Sequence, residues 1–178
     1  MVFDLKYYYY RYFVINPVLF KLRGDIRDDE AVALYREALS LPREAAVVEI
    51  GSFCGKSSCF LAEGLDPLSR LYCIDTWERG TAEIFVRNTQ PYRDIVIPLS
   101  GRSADIQWDN NIDLLFIDGD HEYAGIKTDI NKYLPFTKRV IFHDYGVFEG
   151  VTMAVDELGL KPDLRVKSLW GCNLHKKG

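Results

Sequence analysis

Ala46-Val47-Val48-Glu49-Ile50-Gly51-Ser52-Phe53-Cys54-Gly55-Lys56-Ser57 decides how this 178-residue chain folds. Its first five residues form a near-continuous apolar run, the pattern of a strand buried on both faces. Gly51 and Gly55 then supply a turn that tolerates positive φ and lets a ligand approach the backbone. A helix read over Lys56 to Leu65, with Gly64 near its end, turns its N-terminal amides towards that turn.

Working outward, the same alternation continues. Asp28-Asp29-Glu30 places acidic charge at a helix start, and Val32, Tyr35 and Leu39 recur at helical spacing until Leu41-Pro42. Leu71-Tyr72-Cys73-Ile74, Ile95 to Leu99, Ile112 to Ile117 and Val140-Ile141-Phe142 read as four further strands. Tyr123, Ile126, Ile130 and Tyr133 share one helix face, and Val151 to Leu158 reads as another helix. Arg165 to Leu169 and Cys172 to His175 read as an antiparallel C-terminal hairpin around Trp170-Gly171. The expected architecture is a doubly wound α/β domain with a mostly parallel, seven-stranded sheet. Residues 28–178 form its core, and residues 1–27 are an aromatic N-terminal extension of the same single domain.

Composition narrows the function. With 22 Lys+Arg against 26 Asp+Glu, the net charge is −4, and no long basic run could grip a phosphate backbone, so no nucleic-acid partner is expected. The four cysteines (Cys54, Cys59, Cys73, Cys172) form no Cys-x-x-Cys pair, which argues against a zinc ribbon or disulfide framework and for a reduced, cytoplasmic protein. Tyr12 to Phe20 is far short of a bilayer span of roughly 20 residues. Tyr7-Tyr8-Tyr9-Tyr10-Arg11-Tyr12-Phe13 suits coverage of the protein's own core, a homodimer contact or a pocket lid better than membrane contact.

In a sheet of this kind ligands bind beyond the carboxyl ends of the strands. The dinucleotide fingerprint Gly-x-Gly-x-x-Gly is absent after the first strand. Gly55-Lys56-Ser57 copies the end of a phosphate-binding P-loop, but Gly51 and Gly55 are one residue too close together for that cradle. An ATP-dependent phosphotransferase therefore stays as an alternative. A third reading is an adenosine ligand without phosphates. Asp75, ending the second strand, can accept hydrogen bonds from both ribose hydroxyls. Glu49 would offer negative charge to a cationic ligand such as a sulfonium bearing an amino group, or else cap the strand end.

Val48 to Ser57, followed by Tyr72-Cys73-Ile74-Asp75-Thr76-Trp77, Gly101-Arg102-Ser103, Asp113 to Tyr123 and Val140 to Tyr145, resembles class I S-adenosylmethionine-dependent methyltransferases. The resemblance is greatest to cation-dependent enzymes of the catechol O-methyltransferase type and their bacterial small-molecule relatives. It implies a Rossmann-like methyltransferase fold and S-adenosylmethionine as cofactor. The implied cofactor residues are Glu49, Gly51, Ser52, Gly55, Ser57, Asp75, Thr76, Trp77, Ser103 and Asp118. It also implies a small-molecule acceptor carrying a hydroxyl.

Asp118 and Asp144 each end an apolar strand and should face one cleft, where paired carboxylates call for a cation or a proton. The resemblance makes them ligands of Mg²⁺ or another divalent cation. Tyr145 stands where those enzymes commonly carry Asn, leaving Asp120 or water as the third ligand. In a regular strand His143 would point away from Asp144. His121 occupies the place of the catechol-type lysine, and an imidazole there can take a hydroxyl proton as general base. A non-catalytic adenosine-binding domain would have no need of Asp118, His121 and Asp144.

Overall fold

A computed structural model describes residues 5–174. A helix α1 (Leu5–Tyr9) runs into a π-helical turn (Tyr10–Val14), and a short 3-10 turn (Leu19–Lys21) precedes α2 (Asp28–Leu39). The alternation then reads β1 (Ala46–Ile50), α3 (Lys56–Gly64), β2 (Arg70–Asp75), α4 (Ala82–Thr89) and β3 (Val96–Ser100). It continues with β4 (Ile112–Ile117), α5 (Tyr123–Tyr133), β5 (Thr137–Phe142), α6 (Glu149–Asp156), β6 (Leu164–Val166) and β7 (Leu169–Asn173).

The seven strands lie in the order β3-β2-β1-β4-β5-β7-β6. β1 to β5 are parallel, whereas β7 runs antiparallel to both β5 and β6. The chain moves outward from β1 to β3, then returns to place β4 on the other side of β1. That reversal opens a crevice above the ends of β1 and β4.

Two apolar layers clamp the sheet. Alternate residues explain them: Val47, Leu71, Leu114 and Phe116 face α2, α3 and Phe85 of α4, while Val48, Ile50, Leu115 and Ile117 face α5 and α6. In α2 every residue from Glu30 to Tyr35 is buried, as is Ala38, so Val32 and Tyr35 of the expected face are buried and Leu39 is exposed. α4 escapes periodicity reading because Phe85 is its only buried large apolar residue. Tyr7 and Tyr10 pack on the α2–α3 layer, the Tyr10 ring 5.6 Å from that of Tyr35, while Tyr9, Tyr12 and Phe13 stay exposed. Among the described residues, no helix is long and apolar enough to cross a membrane.

The hairpin departs from expectation. Its turn is Lys167-Ser168, with Lys167 at φ 55°, and Trp170-Gly171 lies within β7, paired with Phe142 and Ile141. A Cβ on Gly171 would stand 3.1 Å from Ile141 and 3.3 Å from Leu164, so this glycine permits close packing and does not make the turn. His175 lies outside the described residues.

Two expected outcomes follow from this packing. Phe60 is fully buried on α3, its ring 4.9 Å from Phe20 of the extension. Phe60→Ala should lower unfolding stability by about 3–5 kcal/mol in a denaturant titration. On α5, Asp129 falls on the buried face with Ile126, Ile130 and Tyr133, and accepts a 2.5 Å hydrogen bond from Ser103 Oγ. Burial pushes its carboxyl up from the ordinary 3.8 to about 6, against the opposing Ser103 bond. The folded state therefore holds this proton more tightly than the unfolded one, so stability falls as pH rises from 3.8 to 6. The shift corresponds to about 3 kcal/mol. In urea melts across pH 4–7, Asp129→Asn should remove that loss; parallel pH profiles for the two proteins would refute it.

Candidate active site

The crevice is a cleft of about 990 Å³. Its lining unites Gly51, Ser52, Ser57, Asp75, Thr76 and Ser103 with Asp118, His121 and Asp144. Glu49, Gly55 and Trp77 are not among the lining residues.

Gly51 is the tightest point. It sits at φ 90°, donates its N–H to Ile74 O at 2.9 Å, and a Cβ there would be 2.1 Å from the carbonyl oxygen of Asp118. No side chain fits between the ends of β1 and β4. Gly55, at φ 82°, caps α3, where a Cβ would press on Phe85 and Thr89 at 3.0 Å.

Asp75 holds the next loop with both oxygens. Oδ2 accepts from Phe53 N–H at 2.8 Å and Oδ1 from Trp77 N–H at 2.6 Å. Each oxygen retains a second acceptor position for a ligand hydroxyl. Trp77 closes this arrangement: its Nε1–H donates to Phe53 O at 3.0 Å and its indole packs 4.9 Å from Phe85. It stiffens the loop from behind.

Glu49 does not present its charge to the cleft. It is fully buried beneath the turn, accepts the Ser58 hydroxyl, and burial raises its pKa. Among the described residues, its Oε1 and the Ser52 hydroxyl have no hydrogen-bond partner. The P-loop alternative is not favoured, because Lys56 Nζ turns back to Ile26 O at 3.0 Å and Asp28 at 3.6 Å, and the side chain is buried.

The second cluster assembles where β4 and β5 end side by side. Ile117 pairs with Phe142, and His143 N–H continues the ladder to Ile117 O at 3.0 Å. β5 then stops, and Asp144 adopts φ 59°. This left-handed residue breaks the strand alternation that would have sent His143 and Asp144 to opposite faces. Both side chains reach the cleft. His143 Nδ1 lies 2.9 Å from Asp118 Oδ1 and 3.4 Å from Asp144 Oδ2, and the three donor atoms fall within 4.8 Å of one another.

Asp120, the expected third ligand, lines the same cleft but lies outside the group formed by Asp118, His143 and Asp144. Asp120 accepts the Glu122 N–H at 3.0 Å at the start of α5, and the Tyr145 hydroxyl donates to Asp156 at 2.7 Å. His143 is the third member of the group whose donor atoms lie together. Burial opposes charge on its ring, but hydrogen bonds to Asp118, Asp144 and Glu30 outweigh it and push the imidazole up to about 12. Burial raises the Asp118 carboxyl, and the paired histidines hold Asp144 low against its own burial.

His121 stands apart at the cleft wall. Its Nε2 lies 3.0 Å from Asp144 Oδ2, and its ring stacks on Phe148 with centroids 4.2 Å apart and planes 7° from parallel. The Asp144 bond raises its pKa above 6.5 despite burial. The residue is partly exposed, so proton exchange with a bound molecule is unobstructed.

Sequence reading missed four features of the cleft: Gly24 to Ile26 at its rim, Thr81, Asp129, and Glu30 behind His143. Asp129 had a legible signal, an acid inside the apolar stripe of α5. The rim and Thr81 had none.

A sequence-family model described as a methyltransferase domain matches residues 48–145. The uncharacterized protein R132 of Acanthamoeba polyphaga mimivirus is 27% identical over 55% of this chain and 50% of its own length, so the chain spans about half of that curated relative. Among solved structures, the O-methyltransferase of Bacillus cereus in complex with SAH superposes with a TM-score of 0.70 at 16% identity, covering 94% of each chain. TomG of Streptomyces achromogenes, an O-methyltransferase of tomaymycin synthesis solved with SAM, gives 0.67 at 20% identity, over 94% of this chain and 93% of its own. These structural likenesses agree in fold, and the family match covers the two strand-end clusters from β1 to the end of β5. The chain belongs to the methyltransferase-domain family.

Proposed function

We propose that the protein is an S-adenosylmethionine-dependent O-methyltransferase acting on a small-molecule hydroxyl, with a divalent cation and His121 as general base. The observation that carries this reading is one cleft joining two sites. The Gly51 turn and Asp75 form an adenosine-type site, and Asp118, His143, Asp144 and His121 form a proton- and cation-handling site. Relatives of the same fold solved with SAH or SAM support the cofactor. The four cysteines are free and buried, which suits a reducing, cytoplasmic setting.

The donor set fits a cation. Asp118, His143 and Asp144 offer two carboxylate oxygens and a ring nitrogen close enough together to share one ion. The nitrogen donor favours Mn²⁺ or a similar first-row metal over Mg²⁺, which prefers oxygen alone. When bound, S-adenosylmethionine supplies an already activated methyl group, and the cation supplies positive charge that lowers the pKa of the acceptor hydroxyl.

The chain's own residues do the rest. Asp75 holds the nucleoside end through its spare acceptor positions, and the Gly51 turn lets the ligand reach the backbone. Asp144 accepts the Nε2–H of His121, which leaves Nδ1 to take the acceptor's proton. Phe148 fixes the imidazole plane by stacking. Alignment of nucleophile and methyl carbon is the main task left to the cleft walls.

Calorimetric titration with S-adenosylhomocysteine, with Mn²⁺ and again with EDTA, tests the cofactor site; no binding in either buffer overturns the proposal. His121→Ala should lower kcat by about 10²–10⁴-fold while S-adenosylhomocysteine affinity stays within about twofold. Asp75→Ala should weaken that affinity by at least about tenfold, since it removes a charged acceptor and frees the Phe53 and Trp77 amides. Equal loss of affinity in both variants would contradict the division of labour.

A further inference from the structure

Glu30 is a fully buried carboxylate on α2, in a domain where nearly every other carboxylate reaches solvent. Its four acceptor positions are all taken. Oε2 accepts from Arg27 N–H at 3.1 Å and faces His143 Nε2 at 3.2 Å. Oε1 accepts from Ser168 N–H at 2.9 Å and from the Ser168 hydroxyl at 2.6 Å. The carboxylate is thus pinned by the first turn of α2 on one side and by the β6–β7 turn on the other.

A pinned carboxylate can only accept. The nitrogen that faces it must therefore carry a hydrogen, which makes Nε2 the donor side of His143 in every state of the ring. In the neutral ring the lone pair then belongs to Nδ1, the atom that faces Asp118 and Asp144 at 2.9 and 3.4 Å. We propose that Glu30 is a positioning residue for the cation site: it fixes the His143 tautomer and ring plane so that Nδ1 completes the donor set with Asp118 and Asp144. The inference rests on the cation reading proposed above and goes beyond it. It makes α2 and the β6–β7 turn part of the site, although neither contributes a ligand.

The test is Mn²⁺ binding, followed by loss of the free-ion paramagnetic resonance signal, in the full chain and three variants. S-adenosylhomocysteine titration and circular dichroism monitor the fold. Glu30→Gln should weaken Mn²⁺ binding about 10–100-fold, the usual effect of losing a partner behind a histidine ligand. Its S-adenosylhomocysteine affinity should stay within about twofold. His143→Asp supplies a ligand with no N–H to hold. In that background Glu30→Gln should leave Mn²⁺ affinity unchanged or raise it, because a buried like charge is removed. Equal losses in both backgrounds would make Glu30 a merely structural residue and overturn the inference, as would undiminished Mn²⁺ binding by Glu30→Gln alone. Failure of the unaltered protein to bind Mn²⁺ would overturn the cation reading and this inference with it. Should Glu30→Gln not fold, Ser168→Ala, which removes one anchor of Oε1, should weaken Mn²⁺ about two- to fivefold, and no change would overturn the inference.

Discussion

The contact between the Gly51 turn and the backbone of Asp118 is the constraint from which the site follows. A Cβ at Gly51 would sit 2.1 Å from the Asp118 carbonyl oxygen, so the ends of β1 and β4 meet with no side chain between them. That closeness puts the loop holding Asp75 and the loop bearing Asp118 and His121 on opposite lips of one crevice. The parallel sheet supplies the direction, since every strand from β1 to β5 delivers its carboxyl end to the same side. The glycine supplies the proximity. A wider turn would leave two separate polar edges.

The second lip is organised by charge. Three carboxylates, from Glu30, Asp118 and Asp144, converge on one imidazole ring that is 6% exposed. Without His143 these groups would repel one another in a poorly solvated place. With it, each has a partner at hydrogen-bond range or just beyond. His121 extends the chain outward through Asp144, so the buried part of the network is held rigid and its outer end meets the cleft. The gradient from buried to exposed along Glu30, His143, Asp144 and His121 separates holding from exchange.

Much of this was legible in the sequence, and the reasons are local. β1 and β4 announce themselves because strands buried on both faces need unbroken apolar runs, and the polar residues after them stand out by contrast. Position alone selects the strand-end segments that hold Asp75, Asp118, His121 and Asp144, and the family resemblance singles out Asp118, His121 and Asp144 within them. What escaped depends on contacts between distant parts of the chain. Glu30 reads as ordinary helix-start charge, and its partner lies 113 residues away. His143 meets Asp144 because strand alternation stops at the left-handed turn of Asp144, a conformation that aspartate tolerates better than most residues but that its identity alone only weakly signals. Trp170-Gly171 reads as the hairpin turn because glycine usually marks turns, whereas this glycine serves packing between Ile141 and Leu164.

The strand order has a consequence for how the molecule behaves at high concentration. It leaves β3 and β6 at the two sheet edges, where unpaired backbone groups can template addition of another chain. On β3 the bonds Leu71 N–H to Ile95 O and Gly101 N–H to Asp75 O turn the odd-numbered residues towards β2. The even-numbered ones face outward, and one of them is Pro98, which has no N–H to offer. β6 is only three residues long. Both edges are thus poor templates for adding a further strand.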